Sequence, residues 1–217
     1  TRPAKSDLLW WINNLHLVKG SRILPPTADM TITSDASKMG WGASMGILTT
    51  GGKWSQVEAQ EHINVLELKA AFFALKSFLK DIINKVIYLK LDNTTAVAYL
   101  NNMGGTHCPQ LLRLTLKIWE WCQKKSVFLL AQHIPGVNNT VADAESRTTK
   151  DWNDWKLKSD VILPLITECQ VDLFASHLSH QLDKYVSWRP DPNAFYTDAF
   201  AISWSNMTAY AFPPFNL

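Results

Sequence analysis

Between residues 29 and 147 the apolar residues change their spacing repeatedly, and that succession of periods constrains the fold more than any other property of the chain. Asp29 to Asp35 alternates Met30 and Ile32 against Thr31 and Thr33, the two-residue period of a half-buried strand. Gly40 to Leu48 reads as a second strand after a tight turn, and Gly51-Gly52 as a turn into a short third strand around Trp54. From Asn64 to Lys80, Leu68, Phe72, Leu75 and Leu79 recur at three- and four-residue steps among good helix formers, which predicts a helix of about four turns. Val86 to Asp92 returns to strand composition, Thr94 to Asn101 predicts a short helix broken by Gly104-Gly105, and Pro109 to Lys125 a longer one. Val127 to His133 predicts another strand, and Ile134-Pro-Gly a turn toward a last helix capped by Asn139 or Thr140. The order βββαβααβα implies an α/β fold with a mixed five-stranded sheet. Three antiparallel strands open it, and parallel strands reached through helical crossovers extend it, with helices on its flanks.

Ahead of this region, Ser6 to Lys19 carries Leu8, Leu9, Trp11, Ile12, Leu15 and Val18 at helical spacing behind Ser6 or Asp7 as cap, with Gly20 as stop. Residues 1–150 hold 17 Lys and Arg against 11 Asp and Glu, whereas 151–217 hold 4 against 8. That reversal, with the polar stretch Ser146 to Asp154, marks a boundary near residue 150. The expected organisation is a lead-in helix and connection over 1–28, a sheet-based domain over 29–150 and a C-terminal extension over 151–217. The chain reads as a piece of a longer polypeptide. Its apolar content of 47% supplies a sizeable core and excludes global disorder, and a net charge of +2 is too small for binding nucleic acid by charge alone. Cys108, Cys122 and Cys169 have no metal-ligand spacing and no framework pairing, which fits a reducing, intracellular setting. No apolar run approaches the roughly 20 residues of a membrane span.

Four carboxylates stand in four different elements of this pattern. Asp35 closes the first strand, Asp92 closes the fourth, Glu67 lies in the first turn of the helix from Asn64, and Asp143 in the first turn of the last helix. Taken singly, Asp35 also reads as a turn former, Asp92 as a helix N-cap, and Glu67 and Asp143 as solvated first-turn acids. Taken together, acids at the ends of central strands repel one another unless a cation neutralises them. An all-oxygen set favours Mg²⁺ first and Mn²⁺ second, and two such ions roughly 4 Å apart suit in-line displacement at phosphorus. Phosphodiester hydrolysis is the chemistry implied.

The segments Ser34-Asp35-Ala36-Ser37, Asn64-Val-Leu-Glu67-Leu-Lys-Ala70, Leu91-Asp92-Asn93-Thr94 and His133-Ile-Pro-Gly136 through Val141-Ala-Asp143-Ala-Glu-Ser-Arg147 together resemble the ribonuclease H domain of retroelement reverse transcriptases. The resemblance covers about residues 29 to 147, and the His133-to-Asp143 stretch is its most specific part. It implies a ribonuclease H-like fold, hydrolysis of the RNA strand of RNA/DNA hybrids, and two Mg²⁺ ions held by Asp35, Glu67, Asp92 and Asp143. It implies that His133 assists proton transfer or product release, with a simple turn histidine as the competing reading. Asn64 matches a family asparagine that touches the hybrid, and Ser37, Asn93 and Thr94 flank the acids closely enough to contact sugar or phosphate. Helix capping is the rival role for Asn64, Asn93 and Thr94. Lys38, Lys53, Lys69 and Lys76 are further candidates for backbone contacts, against ordinary solvated charge.

Leu9-Trp10-Trp11-Ile-Asn-Asn, the Trp-Ser after Gly51-Gly-Lys, His62-Ile-Asn-Val-Leu-Glu67 and Asp92-Asn-Thr-Thr through Gly105 are similar to the DIRS-type, tyrosine-recombinase retrotransposons. That resemblance implies a reverse transcriptase polymerase domain of the same polyprotein as partner. Trp10, Trp11, Trp119 and Trp121 read as core or interdomain packing rather than base-stacking platforms. Val171-Asp-Leu-Phe-Ala-Ser176 through Tyr210-Ala-Phe-Pro-Pro-Phe215 resembles the extension of such elements and, weakly, the opening of phage-type adenine methyltransferases. Phe212 stands where those enzymes place a polar residue, so the extension reads as an appendage packed on the nuclease domain. A catalytically silent module of the same fold is the main alternative. An integrase or transposase is the other, disfavoured because its last acid is normally a Glu after the sheet and no helix-turn-helix is evident.

Overall fold

The structure, a computed structural model, describes residues 2–17, 26–148 and 155–214. Strands β1 (Met30–Ala36), β2 (Gly40–Met45), β3 (Leu48–Lys53), β4 (Val86–Leu91) and β5 (Phe128–His133) form one sheet in the order β3-β2-β1-β4-β5. β1 pairs antiparallel with β2 and β2 with β3, whereas β4 is parallel to both β1 and β5, which is the mixed five-stranded sheet expected. β4 shows how sequence sets this: Ile87, Leu89 and Leu91 are fully buried while Val86, Tyr88 and Lys90 remain partly exposed. Each such aliphatic side chain contributes about 2 kcal/mol by leaving water.

Helix α1 (Arg2–Asn14) precedes the sheet, α2 (Ile63–Phe78) connects β3 to β4, and α3 (Thr94–Asn101) and α4 (Pro109–Lys124) connect β4 to β5. Helix α5 (Thr140–Arg147) follows β5. Strand alternation divides the helices between the two faces: Trp41 meets Phe73 of α2 at 5.4 Å between ring centroids, and its neighbour Gly42 faces α5. α1 begins at Arg2, so Ser6 and Asp7 lie inside it rather than at its cap; Val18 to Gly20 fall outside the described residues. Leu8, Leu9, Trp10, Trp11, Ile12 and Leu15 are all exposed, and Trp10 and Trp11 rest edge-to-face on each other. Trp119 and Trp121 pack against the core, Trp119 donating its indole N–H to the Leu100 carbonyl at 3.0 Å.

The hairpin between β2 and β3 differs from the sequence reading. Its turn is at Gly46, with φ of +60°, and Gly51-Gly52 lie inside β3 instead of forming a turn; Trp54 follows the strand. The glycines serve a long-range contact that local pattern does not encode. A Cβ on Gly42 would lie 2.2 Å from the Ala142 carbonyl oxygen and 2.5 Å from the Ser146 nitrogen. Helix α5 therefore sits directly on the backbone of the hairpin, over the strand opposite Asp35.

The chain beyond residue 155 forms α6 (Ser159–Ile162) and four two-residue strands, β6 (Val171–Asp172), β7 (Val186–Ser187), β8 (Tyr196–Thr197) and β9 (Ala209–Tyr210). β6 pairs with β9 and β7 with β8, around a small core of Val171, Leu173, Val186 and Ala199. This segment packs on the five-stranded sheet at its β3 edge. His177 meets Phe73 at 5.4 Å, Lys76 and Lys80 of α2 bond to Asn193 and the Ala194 carbonyl, and Thr50 of β3 bonds to the Pro190 carbonyl. Arg189 pairs with Glu145 of α5 at 3.2 Å. The expected boundary stretch, residues 149–154, lies outside the described residues. No helix among the described residues is long and apolar enough to cross a membrane.

Replacing Gly42 by Ala is expected to lift α5 from the sheet and to destabilise the fold by about 2 kcal/mol or more, as overpacking against backbone does. Chemical denaturation measures this, and an unchanged midpoint would show that α5 is not seated on β2.

Candidate active site

The acids converge because β1 and β4 run side by side in the same direction. Asp35, in the last turn of sheet backbone before β1 ends, is 3% exposed, and Asp92 follows directly on β4. Glu67 reaches the same place from α2, 5% exposed between the fully buried Leu66 and Leu68. Because α2 starts at Ile63 with His62 as its cap, Glu67 lies past the first turn, and the solvated first-turn reading fails for it. One oxygen from each of Asp35, Glu67 and Asp92 lies within 4.8 Å of the others.

Burial dominates the electrostatics. The Glu67 carboxyl is pushed up to about 9, first by desolvation and then by the negative charges of Asp35 and Asp92, while a backbone bond from Ala36 opposes them. Asp35 is raised by burial, with the Ser146 hydroxyl pulling downward and Asp92 and Asp143 pushing upward. Glu67 Oε2 is buried and has no hydrogen-bond donor. Three crowded carboxylates with one donorless buried oxygen among them fit a hard divalent cation, which would satisfy that oxygen and offset the repulsion together.

Asp143 is not in this group of three. It lies in the first turn of α5, half-exposed, and its Oδ1 accepts a hydrogen bond from Arg147 Nε at 2.7 Å, though it is near enough to raise Asp35. His133, opposite Leu91 in the β4–β5 register, is exposed with Nε2 at 3.1 Å from the Asp92 carbonyl oxygen. The loop after it passes close to the site: a Cβ on Gly136 would come within 3.2 Å of Asp92 Oδ2.

The residues expected to touch nucleic acid divide by role. Asn93 caps α3 through Oδ1 to the Ala96 amide at 2.9 Å and donates Nδ2 to Asn64 Oδ1 at 3.0 Å, so capping and a link to α2 coexist in it. Asn64 is not a cap, since His62 Nδ1 accepts from its amide at 3.2 Å. Thr94 is exposed at the start of α3. Ser37 is buried and serves as a structural joint: its hydroxyl donates to the Ser146 carbonyl at 2.7 Å and accepts from the Met39 and Gly40 amides. Of the lysines, Lys69 pairs with Glu58 and Glu61, Lys76 bonds to Asn193 and Lys38 to the Glu61 carbonyl.

Three residues of the site escaped the sequence reading. Ser146, 1% exposed, donates to Asp35 Oδ2 at 2.6 Å; Arg147 holds Asp143; and Asn139, at the expected N-cap position of α5, spends its side chain on the sheet, donating Nδ2 to the Ser34 carbonyl at 3.0 Å. Ser146 and Arg147 stand three and four residues after Asp143, the helical spacings that put side chains on one face, and that spacing was the available signal.

Residues 42–149, just under half of the chain, match a family model described as reverse transcriptase-like. Among solved structures, the ribonuclease H1 of Halobacterium salinarum is 21% identical with a TM-score of 0.44, over 54% of this chain and 92% of that one. The LC11 ribonuclease H1, from compost and solved in complex with an RNA/DNA hybrid, is 17% identical with a TM-score of 0.48, over 54% and 93%. The N-terminal ribonuclease H domain of a Mycobacterium tuberculosis protein is 16% identical with a TM-score of 0.45, over 55% and 91%. No curated protein sequence matches. The strand order β3-β2-β1-β4-β5, three antiparallel strands followed by parallel ones with flanking helices, is a ribonuclease H-like fold.

The raised Glu67 carboxyl has a consequence for stability with divalent ions chelated. The unfolded chain loses this proton near pH 4.5 and the folded chain near 9, so between those values the folded state holds the extra proton and stability falls as pH rises. Denaturant midpoints in EDTA are expected to decline from pH 5 to 9 and to flatten in Glu67→Gln; equal declines in both proteins would refute the assignment.

Proposed function

We propose that this ribonuclease H-like domain is a metal-dependent endoribonuclease that hydrolyses the RNA strand of RNA/DNA hybrids in the reverse transcriptase of a retrotransposon, one most like the DIRS type. The observation that carries the proposal is the meeting of Asp35, Glu67 and Asp92 from three separate elements, with a buried Glu67 oxygen lacking any donor. Structural ion pairs do not account for that arrangement, because among the described residues none of the three acids forms an ion pair.

Asp35, Glu67 and Asp92, joined by Asp143, would hold two Mg²⁺ ions, which supply activation of the attacking water and stabilisation of the leaving oxygen when bound. The chain's own residues do the rest. Ser146 fixes the orientation of Asp35, and the cores around Leu66, Leu68 and Leu91 keep Glu67 and Asp92 in place against their repulsion. The exposed His133 imidazole, anchored beside Asp92, accepts or returns a proton at the open side of the site. Asn64 and Asn93, joined to each other, present an amide edge suited to a 2′-hydroxyl and the neighbouring sugar. A polymerase domain of the same polyprotein would hold the hybrid along its length. Phe212, which stands where methyltransferases place a polar residue and lines a cleft beside Phe174 and Tyr210, favours a packing role for the extension over methyl transfer.

The deciding experiment offers labelled hybrid, duplex RNA and duplex DNA with Mg²⁺ to the wild type and to Asp92→Asn. The expected result is cleavage of the RNA strand of the hybrid alone, with at least about a hundredfold loss in the variant, near 3 kcal/mol of transition-state stabilisation. An intact hybrid under these conditions would leave a silent module of the same fold.

A further inference from the structure

We propose that Arg147 anchors a backbone phosphate of the polynucleotide at the mouth of the acidic site, with Asp143 as its resting partner in the substrate-free protein. The inference rests on the nuclease reading and deepens it by naming a substrate-binding residue.

A polyanion approaching this site meets Asp35, Glu67, Asp92 and Asp143. Bound cations relieve part of that repulsion, but the substrate strand extends beyond them. Arg147 is the basic side chain whose charge acts on Asp35, Asp92 and Asp143 alike. Several other cations are already engaged: Lys69 with Glu58 and Glu61, Lys76 with Asn193, Lys80 with the Ala194 carbonyl. Arg147 uses only Nε, at 2.7 Å from Asp143 Oδ1, and its two Nη groups bond to no other described residue. Those groups form the planar fork that binds two phosphate oxygens at once.

The existing bond is easily exchanged. Arg147 and Asp143 side chains are 63% and 41% exposed and four residues apart on a helix, and such solvent-screened pairs are weak. A doubly engaged phosphate outcompetes such a partner. Parting the pair also frees Asp143, which bonds to Arg147 outside the group of three, to turn toward them. One exchange of partners thus readies the guanidinium for substrate and the carboxylate for the site.

The test measures hybrid binding by fluorescence anisotropy against NaCl concentration, in an Asp92→Asn background with Mg²⁺, where binding is read without cleavage. Arg147→Gln is expected to weaken binding about fivefold at 0.1 M salt and to reduce the slope of log Kd against log salt by about 0.9, the loss of one phosphate contact. Arg147→Lys should recover the slope while recovering only part of the affinity. With Asp92 intact, KM should rise for Arg147→Gln by a similar factor while kcat changes less than about threefold. Thermal unfolding of both variants reports whether α5 stays folded, and the lysine variant keeps the charge if the glutamine variant unfolds. An unchanged slope and KM in a protein that cuts hybrid overturn the Arg147 proposal alone. A changed slope in a protein whose wild type cuts nothing supports it and overturns the nuclease reading, and absence of any binding overturns both.

Discussion

Like charges forced together at the carboxyl ends of β1 and β4 are the constraint on which the rest of the domain turns. Asp35, Glu67 and Asp92 would separate in a pliable framework, and Glu67 holds its proton instead, far above its ordinary range. The framework resists because the backbone on either side of each acid is committed to the core. Leu66 and Leu68 enclose Glu67, Leu91 precedes Asp92, and Ile32 and Ala36 bracket the end of β1, all at or below 7% exposure. Moving any one acid away would expose apolar surface at about 25 cal/mol per Å². Hydrophobic packing therefore supplies the force that keeps the acid oxygens close enough together for cations.

Legibility in the sequence followed the range of the interaction involved. Asp92 could be read because its cause is local: an alternating strand ends, a cap begins, and both fall within ten residues. The same holds for the helices over 94–101 and 109–124, whose borders carry Asn93, Gly104 and Pro109. Gly51-Gly52 was misread because glycine pairs usually mark turns, whereas here Gly51 makes way for Trp41 backbone and Glu145 of α5, about ninety residues on. Ser37 looked like a substrate contact from its place beside Asp35, yet its hydroxyl closes on Ser146, 109 residues away. Local periodicity holds no record of such pairings.

The C-terminal segment acts on the same architecture from outside. β3 is an edge strand, and an open edge invites pairing with other chains. Residues 177–194 pack beside its second half, touching Phe73, Lys76 and Lys80 on the α2 side, Thr50 on the strand and Glu145 on the α5 side, while Leu48 and Thr49 stay exposed. Burial lowers the Lys76 and Lys80 ammonium groups from their usual range, the mark of side chains drawn into a packed seam. Asp191 organises that seam, accepting from the Tyr185 hydroxyl at 2.6 Å and from the His177, Asn193 and Ala194 amides. The helix carrying Glu67 and the helix carrying Asp143 are thereby tied to one external strap.

The two helices are nevertheless held differently. α2 contributes Leu66, Leu68, Ala70, Ala71, Ala74 and Leu75 to the core without exposure, so Glu67 moves only if the core does. Of α5 only Ala142 and Ser146 are buried, and its docking depends on polar joints: Asn139 to Ser34, Ser37 to Ser146, Ser146 to Asp35 and Arg189 to Glu145. Directional bonds of this kind fix where a helix sits yet release a side chain at its margin for little energy. The acid on the core-bound helix is consequently buried and crowded, and the acid on the polar-docked helix stands half in water, paired with its own neighbour. The division into three fixed carboxylates and one adjustable carboxylate follows from how each helix is attached.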